Sequence, residues 1–450
     1  YEIRLSLVGS EMCIRDRVRL LADIFTVLNY QGSKKRLLDF IYENTQEYID
    51  SDKAFLDICS GTSAVAYNMK RHFTVYTNDS ENYAYQISNS IVKNNERYNF
   101  SQSDEMIIRE KYNINLQRLN NIFNDMVNQE DMLLEQEDAD GLIELYSNCP
   151  CIWKNNVDIE IEGNTIQSIY DLRKCKRDIP NVLFTLYYSS SYFGIKQSME
   201  IDSIRYAIEF IESEITKSIL FTSLFFAMKE CVFAKDGHMA QPLNMETGKK
   251  RMLRLKARSI YDIFIDKLKE FNTEEFVLSQ KENKCFNKDF RTLLETEESI
   301  KDEVGFIYID PPYTDMQYSR YYHILNTVVL YDYPEISLSR GTISKGIYRE
   351  GRYQSPLSQR KHALNEIDFL FSFCKENKIN VALSYAYPID TEKQATNRYT
   401  ASIDDLINVA KKHFGDNVKV VHEEYSHANN RNSDKKNVLE YLIMGIHNKE

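Results

Sequence analysis

The chain has 450 residues and a formal net charge of −11, with 43% hydrophobic and 27% charged residues. This composition excludes a disordered or fibrous protein, and the length favours about two domains. The net acidity also excludes a protein that coats nucleic acid indiscriminately, although it permits a local basic groove.

The longest apolar run covers residues 218–228, well short of the roughly 20 residues that a membrane span requires. Eight cysteines without the regular pairing of a secreted scaffold predict reduced thiols and a cytoplasmic protein. Cys149, Cys151 and Cys175 come nearest to a metal-binding pattern, but they lack a second tight pair, so no metal site is predicted.

The amino-terminal segments differ in what they predict. Residues 1–17 have neither an initiator methionine nor the layout of a signal peptide, and we expect them to be foreign to the fold. The segment from Asn29 to Lys34 precedes a stretch with helical apolar spacing. Tyr30 and Lys34 could close over a bound cofactor; the alternative is a helix cap with a basic first turn.

Two buried strands are predicted next, at residues 54–59 and 73–77, joined by a turn and a helix. Asp57 ends the first strand and Asp79 follows the second, 79 − 57 = 22 positions later. At this spacing an acidic residue meets ribose hydroxyls in a βαβ nucleotide-binding unit. For Asp79 the alternative is an N-cap of the next helix. The turn contains only Gly61, which disfavours a pyrophosphate cradle and hence a nicotinamide cofactor.

Residues 96–250 carry helical spacing, an acidic segment and loops rich in tyrosine and serine. They predict an inserted, mostly helical domain within a catalytic domain made of residues 18–95 and 251–450. After the insert, three strand signals return and two further runs predict a closing antiparallel pair. These runs cover residues 284–287, 305–309, 380–384, 418–422 and 439–446.

The strand at residues 305–309 ends in Asp310, Pro311, Pro312 and Tyr313, which are predicted to be catalytic because ligands bind beyond the carboxyl ends of such strands. Two prolines hold a rigid turn, and the Asp310 carboxylate and Pro311 carbonyl can only accept hydrogen bonds. Two acceptors suit the hydrogens of an aromatic amine and would free its nitrogen to attack a sulfonium methyl group. The Tyr313 ring offers a stacking face for a base. The alternative is a plain turn.

Taken in chain order, the segments NYQGSK, FLDICSGTS, TND, NKDF and IDPPY resemble the Dam-like class of adenine-N6 DNA methyltransferases. The resemblance covers residues 29–95 and 281–450. It implies a methyltransferase-type, Rossmann-like α/β fold with a mixed sheet flanked by helices, in which residues 96–250 form the target-recognition domain. It implies S-adenosylmethionine as cofactor and residues 310–313 as the catalytic tetrad. By matching position it implies cofactor contacts for Tyr30, Lys34, Asp57, Gly61, Asp79, Asp289 and Phe290.

The function that this resemblance implies is transfer of a methyl group to N6 of a flipped-out adenine in double-stranded DNA. Base flipping costs a few kcal/mol. A monomeric enzyme and a companion restriction endonuclease are the expected state and partner. Three alternatives stay open: methylation of cytosine N4, methylation of an RNA amine, and a catalytically inactive DNA-binding homologue.

Several segments are candidates for DNA contacts. Residues 318–323 could line the base pocket or grip the backbone, and loops 191–197 and 236–241 could read bases, although packing within the insert is the simpler interpretation of those loops. For six basic residues, phosphate contact and a plain solvated helix are equally open. These are Lys249, Lys250, Arg251, Arg254, Lys256 and Arg258.

Overall fold

The structure, a computed structural model, describes residues 27–28, 32–98, 102–152, 160–161, 164–165, 180–235, 238–389, 396–427 and 436–448. Predictions that fall on Tyr30, on Cys175 or on residues 1–17 therefore lie outside the described residues. No helix within those ranges is both long and apolar enough to cross a membrane.

The described strands form one large sheet and two short hairpins. In chain order they are β1 (Ala54–Asp57), β2 (Thr74–Asn78), β3 (Glu160–Ile161), β4 (Asn164–Thr165), β5 (Lys284–Phe286), β6 (Val304–Ile309), β7 (Leu338–Ser339), β8 (Thr342–Ile343), β9 (Asn380–Pro388), β10 (Val418–His427) and β11 (Lys436–Gly445). The large sheet has the spatial order β10-β11-β9-β6-β1-β2-β5, and β3-β4 and β7-β8 are the hairpins.

The large sheet is mixed. The five strands β5, β2, β1, β6 and β9 are parallel to one another. β11 is antiparallel to both β9 and β10, which confirms the predicted closing pair. All the strand runs predicted from the sequence are present, and the predicted mixed α/β fold is confirmed.

The helices of the described residues cover both faces of this sheet. They are α1 (Leu38–Thr45), α2 (Ala64–Met69), α3 (Asn82–Ser88), α4 (Gln102–Glu135), α5 (Ala139–Asn148), α6 (Leu183–Tyr187), α7 (Ile195–Ile208), α8 (Glu214–Cys231), α9 (Lys249–Lys256), α10 (Ile260–Glu270), α11 (Phe290–Thr296), α12 (Ser299–Glu303), α13 (Tyr318–Tyr321), α14 (His323–Leu330), α15 (Ala363–Glu376) and α16 (Ile403–Phe414). The helices α3 to α10 lie between β2 and β5 in the chain.

The central strands are apolar on both faces because each face has its own helical cover. Phe55 of β1 packs in one core, where its ring stacks on Phe306 at 5.7 Å and on Tyr308 at 6.1 Å. The next residue, Leu56, points to the opposite face and belongs to a second core with Ile307. Alternation along β1 and β6 therefore holds the two helical layers against one rigid sheet.

One buried carboxylate ties the helical segment to the chain that follows the predicted catalytic turn. Asp202 of α7 accepts hydrogen bonds from the backbone of Phe184 and Thr185 at 2.8 Å each, in the first turn of α6. It also accepts one from the Tyr331 hydroxyl at 2.6 Å. Tyr331 ends α14 with a left-handed backbone, φ +48°, so this contact fixes an otherwise unfavourable conformation.

Replacing Asp202 with alanine is expected to lower the free energy of unfolding by about 3 kcal/mol, because several buried donors lose their acceptor together. Chemical denaturation measures the change. The matched control is Asp266→Ala, which removes an exposed ion pair with Lys269 and should cost less than about 0.5 kcal/mol. Equal losses in the two variants would contradict the role given to Asp202.

Candidate active site

The candidate site lies where the order of the sheet reverses. From β1 the chain continues to β2 and β5 on one side, whereas β6 and β9 lie on the other side. In the β1-β6 pair Asp57 is opposite Tyr308, and the Ile58 N–H donates to the Tyr308 carbonyl oxygen at 3.1 Å. Side chains that follow these two strands therefore meet at one edge of the sheet, the usual ligand position in open α/β folds.

A buried lysine joins Asp310 to a second carboxylate. Lys34 Nζ lies 3.0 Å from Asp310 Oδ1 and 3.0 Å from Glu440 Oε1. The side chains of Lys34 and Glu440 are 3% and 0% exposed, whereas that of Asp310 is 21% exposed. Ser384 of β9 donates a hydrogen bond to the same Glu440 oxygen. Lys34 occupies Asp310 Oδ1, and Oδ2 has no hydrogen-bond partner among the described residues.

The charges of this group shift one another's pKa values. Burial raises the pKa of Asp310 to about 6; the Lys34 ammonium opposes this shift and the Glu440 carboxylate adds to it. Burial alone would lower the pKa of Lys34, but Asp310 and Glu440 together hold that pKa well above its ordinary value. Lys34 therefore stays charged, and Asp310 ionises near neutral pH as a more basic carboxylate than usual.

The turn after Asp310 is anchored at its far end. The carbonyl oxygen of Tyr313 accepts hydrogen bonds from the Tyr385 hydroxyl at 3.0 Å and from the Thr400 N–H at 3.1 Å. The Tyr313 ring lies 5.4 Å from Lys34 Nζ and stacks on the Tyr399 ring at 6.3 Å. No described donor bonds to the Pro311 carbonyl oxygen. The tetrad is thus fixed at Asp310 and Tyr313, with unused acceptors between them.

The β1-α2 turn and Asp79 hold each other in place. Gly61, at φ +51°, donates its N–H to Asp79 Oδ2 at 2.9 Å, and the Glu81 N–H donates to Asp79 Oδ1 at 2.9 Å. Burial raises the pKa of Asp79, while the backbone N–H donors of Glu81 and Gly61 partly oppose that shift. Asp79 therefore holds the turn that precedes α3, but the capping alternative is wrong, because the N-cap of α3 is Glu81. Asp79 also faces the cleft.

A cleft opens at this edge of the sheet. Nine of the eleven predicted site residues line it: Lys34, Asp57, Gly61, Asp79, Phe290, Asp310, Pro311, Pro312 and Tyr313. Burial, together with the Asp310 and Asp79 carboxylates, raises the pKa of Asp57 well above its usual value. The fold therefore brings together residues that are up to 279 positions apart in the chain (313 − 34 = 279).

Asp289, unlike its neighbours Lys288 and Phe290, does not line the cleft. Its Oδ1 caps α11 by accepting the Arg291 N–H at 3.0 Å, and its Oδ2 accepts a hydrogen bond from the Tyr353 hydroxyl. Phe290, the next residue, is buried and faces the cleft. Tyr353 and Leu357, for which the sequence predicted no role, also line the cleft.

The sequence predicted no role for Glu440. A signal was available. Val438, Glu440 and Leu442 alternate along a strand run, and all three are buried. A carboxylate at a core-facing position needs a buried partner, although the pattern cannot say which one.

The two described cysteines of the weak metal pattern, Cys149 and Cys151, are buried, and Cys149 Sγ contacts Ser189 Oγ at 3.2 Å. Across the described ranges, no three His, Cys, Asp or Glu side chains are grouped as metal ligands would be.

A family model described as D12 class N6 adenine-specific DNA methyltransferase matches residues 30–382 of the chain. This match includes both strands at the switch point, the whole helical segment and the tetrad at residues 310–313.

Three curated relatives are similar over most of this chain. The type II methyltransferase M.FokI of Planomicrobium okeanokoites is 25% identical over 80% of this chain and 44% of its own length. Modification methylase LlaI of Lactococcus lactis subsp. lactis is 24% identical over 91% of this chain and 53% of its own. Modification methylase StsI of Streptococcus sanguinis is 23% identical over 92% and 52%. The chain thus spans about half the length of the curated relatives it matches.

Asp310→Asn is expected to stabilise the protein above pH 6, because a buried carboxylate with a pKa of about 6 opposes folding once it is ionised. The unfolded pKa is near 3.9, so the gain should vanish below about pH 4 and reach on the order of 1 to 3 kcal/mol at pH 8. Lys34 keeps Glu440 as its partner in the variant.

Urea unfolding at pH 4, 6 and 8 measures this pH dependence. Asp266→Asn, at an exposed surface position, serves as the control and should show no such trend. An Asp310→Asn protein that is less stable than the wild type at pH 8 would contradict the charge balance described above.

Proposed function

The chain belongs to the D12 class of N6 adenine-specific DNA methyltransferases, and we propose that it methylates N6 of a flipped-out adenine in double-stranded DNA with S-adenosylmethionine as donor. One observation carries the proposal. Asp310 has one oxygen held by Lys34 and the other unused on the wall of the cleft, where it can accept a hydrogen bond from an amine.

The charge of the cleft favours a cationic cofactor. Asp57 Oδ1 is buried without a hydrogen-bond partner in the described part of the chain. Of the two cleft lysines, Lys34 is shared by two carboxylates and Lys288 pairs with Glu297. The carboxylates that line the cleft are those of Asp57, Asp79, Glu81 and Asp310. An ammonium and a sulfonium group would relieve this excess of negative charge, whereas the phosphates of a nicotinamide cofactor would add to it.

Cofactor contacts follow from what each side chain can offer. Asp57 would accept a hydrogen bond from the ammonium group, Asp79 would face the ribose hydroxyls, and Phe290 would pack on the adenine ring. Gly61 would keep the β1-α2 turn close to the ligand. Tyr30 is proposed to close over the same site. Asp289 Oδ2 already accepts a hydrogen bond from the Tyr353 hydroxyl, so an adenine amine would have to share this oxygen with Tyr353.

Bound S-adenosylmethionine would supply an electrophilic methyl group on a sulfonium sulfur. Asp310 Oδ2 and the Pro311 carbonyl would accept the two N–H bonds of the target amine and so localise the nitrogen lone pair for attack. Pro312 keeps the turn rigid, and Tyr313 offers its ring to the base. After transfer the nitrogen carries a surplus proton, which Asp310 could accept because its pKa is raised to about 6.

The partners of this reaction are also proposed. Two of the relatives are named modification methylases, so we extend the proposal to a companion restriction endonuclease, against which methylation would protect the DNA. We also propose that the enzyme acts as a monomer. The competing functions are cytosine-N4 methylation, methylation of an RNA amine, and DNA binding without catalysis. The family assignment favours adenine over all three.

Incubation of the purified chain with unmethylated duplex DNA and labelled S-adenosylmethionine should yield N6-methyladenine on nucleoside analysis. Asp310→Asn should reduce turnover at least about 100-fold, because the side-chain amide is neutral and has only one acceptor oxygen, whereas the carboxylate has two. Cofactor affinity should stay within about threefold. N4-methylcytosine, or label in RNA alone, would overturn the assignment of adenine.

Glu440→Gln should move the acid limb of the pH–rate profile to lower pH. The Glu440 carboxylate raises the pKa of Asp310, so a neutral amide at position 440 should let Asp310 ionise more easily and make it a weaker base. We expect kcat to fall while the KM for the cofactor changes little. The control, Glu424→Gln, lies exposed on the neighbouring strand and should leave the profile unchanged. An unshifted limb in Glu440→Gln would disprove the coupling.

A further inference from the structure

Most of the basic side chains in and beside helix α9 that were candidates for DNA contacts already have partners within the protein. Lys256 is only 4% exposed. Of the six basic residues at positions 249–258, only Lys250 and Arg254 are fully exposed. The other four have partners within the chain: Lys249 contacts Asp140 in an exposed ion pair, Arg251 contacts the Ala234 carbonyl, Lys256 the Ser191 carbonyl and Arg258 Glu230.

Two arginines elsewhere have no acidic partner in the described residues. The guanidinium carbons of Arg320 and Arg352 each lie 4.9 Å from the centre of the Tyr348 ring. Arg320 also donates a hydrogen bond to the Tyr348 hydroxyl at 3.3 Å. The nearby Arg349 differs, because it pairs with Asp332 at 2.6 Å. Arg320 and Arg352 therefore place two positive charges on one tyrosine ring, and neither forms an ion pair with a carboxylate among the described residues.

One carboxylate acts on the pair from a distance: Glu81 opposes the lowering of the Arg352 pKa that burial causes, without forming an ion pair in the described part of the chain. His323 packs edge-on against Tyr348 at 5.1 Å and is fully buried. Burial, and then repulsion from Arg352, Arg349 and Arg320, lowers the pKa of His323 to about 3, so the imidazole is neutral. Arg320 and Arg352 thus form a locally positive site in a chain whose overall net charge is −11.

The arginine pair, Arg320 and Arg352, adjoins the mouth of the cleft. Arg320 follows Ser319 in α13, and Arg352 precedes Tyr353; Ser319 and Tyr353 both line the cleft. Tyr348 pairs with the base of the β7-β8 hairpin through the Ser337 N–H at 2.7 Å. Arg320 is exposed, so an anion can reach it from solvent. Arg352 is half-buried: its Nε donates to the Arg349 carbonyl at 3.2 Å and its Nη1 is buried, which leaves Nη2 as its remaining donor for an anion.

We infer that Arg320 and Arg352 form a phosphate-binding site for the DNA strand that carries the target base. This inference rests on the proposed function. It places that strand on the side of the cleft where Ser319 and Tyr353 lie. A guanidinium group presents a planar fork of donors that matches two phosphate oxygens. Contact with the Tyr348 ring holds both side chains in place before DNA arrives, and a phosphodiester supplies a negative charge beside them.

The test is the salt dependence of DNA affinity, measured by fluorescence anisotropy with a labelled duplex from about 50 to 200 mM salt. Arg320→Ala should weaken binding about tenfold at low salt and reduce the slope of log K against log salt by about 0.9. Arg352→Gln should act alike, and the double variant should lose about 1.8 from the slope. Cofactor affinity and the melting temperature should change little in Arg320→Ala, whose side chain is exposed.

Arg254→Ala is the matched control, since it removes an exposed arginine of α9 and should leave the slope unchanged. An unaltered slope in Arg320→Ala, or a loss seen only in Arg254→Ala, would overturn the inference and return the phosphate contacts to α9. A wild-type chain that binds DNA with this arginine-dependent slope yet transfers no methyl group would refute the proposed function alone. A chain with normal transfer and arginine-independent binding would refute the inference alone.

Discussion

The architecture depends on one buried ammonium ion shared by two carboxylates. Removing Lys34, Asp310 and Glu440 from water costs several kcal/mol per ion, and the cost is offset only if the three groups meet with good geometry. Asp310 follows β6, Glu440 lies on β11, and Lys34 precedes α1. Ser384 of β9 completes the group through Glu440. The late antiparallel strand β11 is thereby tied to the first described residues of the chain.

The same sharing prepares Asp310 for chemistry. A lysine divided between two carboxylates neutralises neither fully, so Asp310 keeps a raised pKa and one unused oxygen. Asp57 and Asp79 add negative charge a short distance along the same cleft. The Asp310 carboxylate can accept hydrogen bonds from the amine of a neutral nucleobase, and the neighbouring carboxylates favour a cationic methyl donor. Both features suit transfer of a methyl group from such a donor to a nucleobase. In the proposed function, one distribution of charge would therefore serve both catalysis and cofactor choice.

The sequence predicted the strands and turns of the site, because these depend on residues that are close together in the chain. Short apolar runs predicted β1 and β6, and the positions of Asp57 and Asp310 at strand ends followed from them. Contacts between distant segments could not be predicted. Helical spacing at residues 249–258 could not reveal that Lys256 is buried or that Arg258 pairs with Glu230. Likewise, the dipeptide Asp289-Phe290 could not reveal that the Tyr353 hydroxyl already occupies the Asp289 carboxylate. Each outcome depends on which elements the tertiary fold brings together.

The central claim is that Asp310 Oδ2 receives the amine of the target base while Lys34 holds Oδ1. The most direct measurement is a crystal structure of the chain with S-adenosylhomocysteine and a duplex that contains its methylation site. We predict the adenine N6 within about 3 Å of Asp310 Oδ2, with the Lys34 contact to Oδ1 kept. A flipped adenine whose amine bonds elsewhere, or a cofactor bound away from Asp57, would contradict this account.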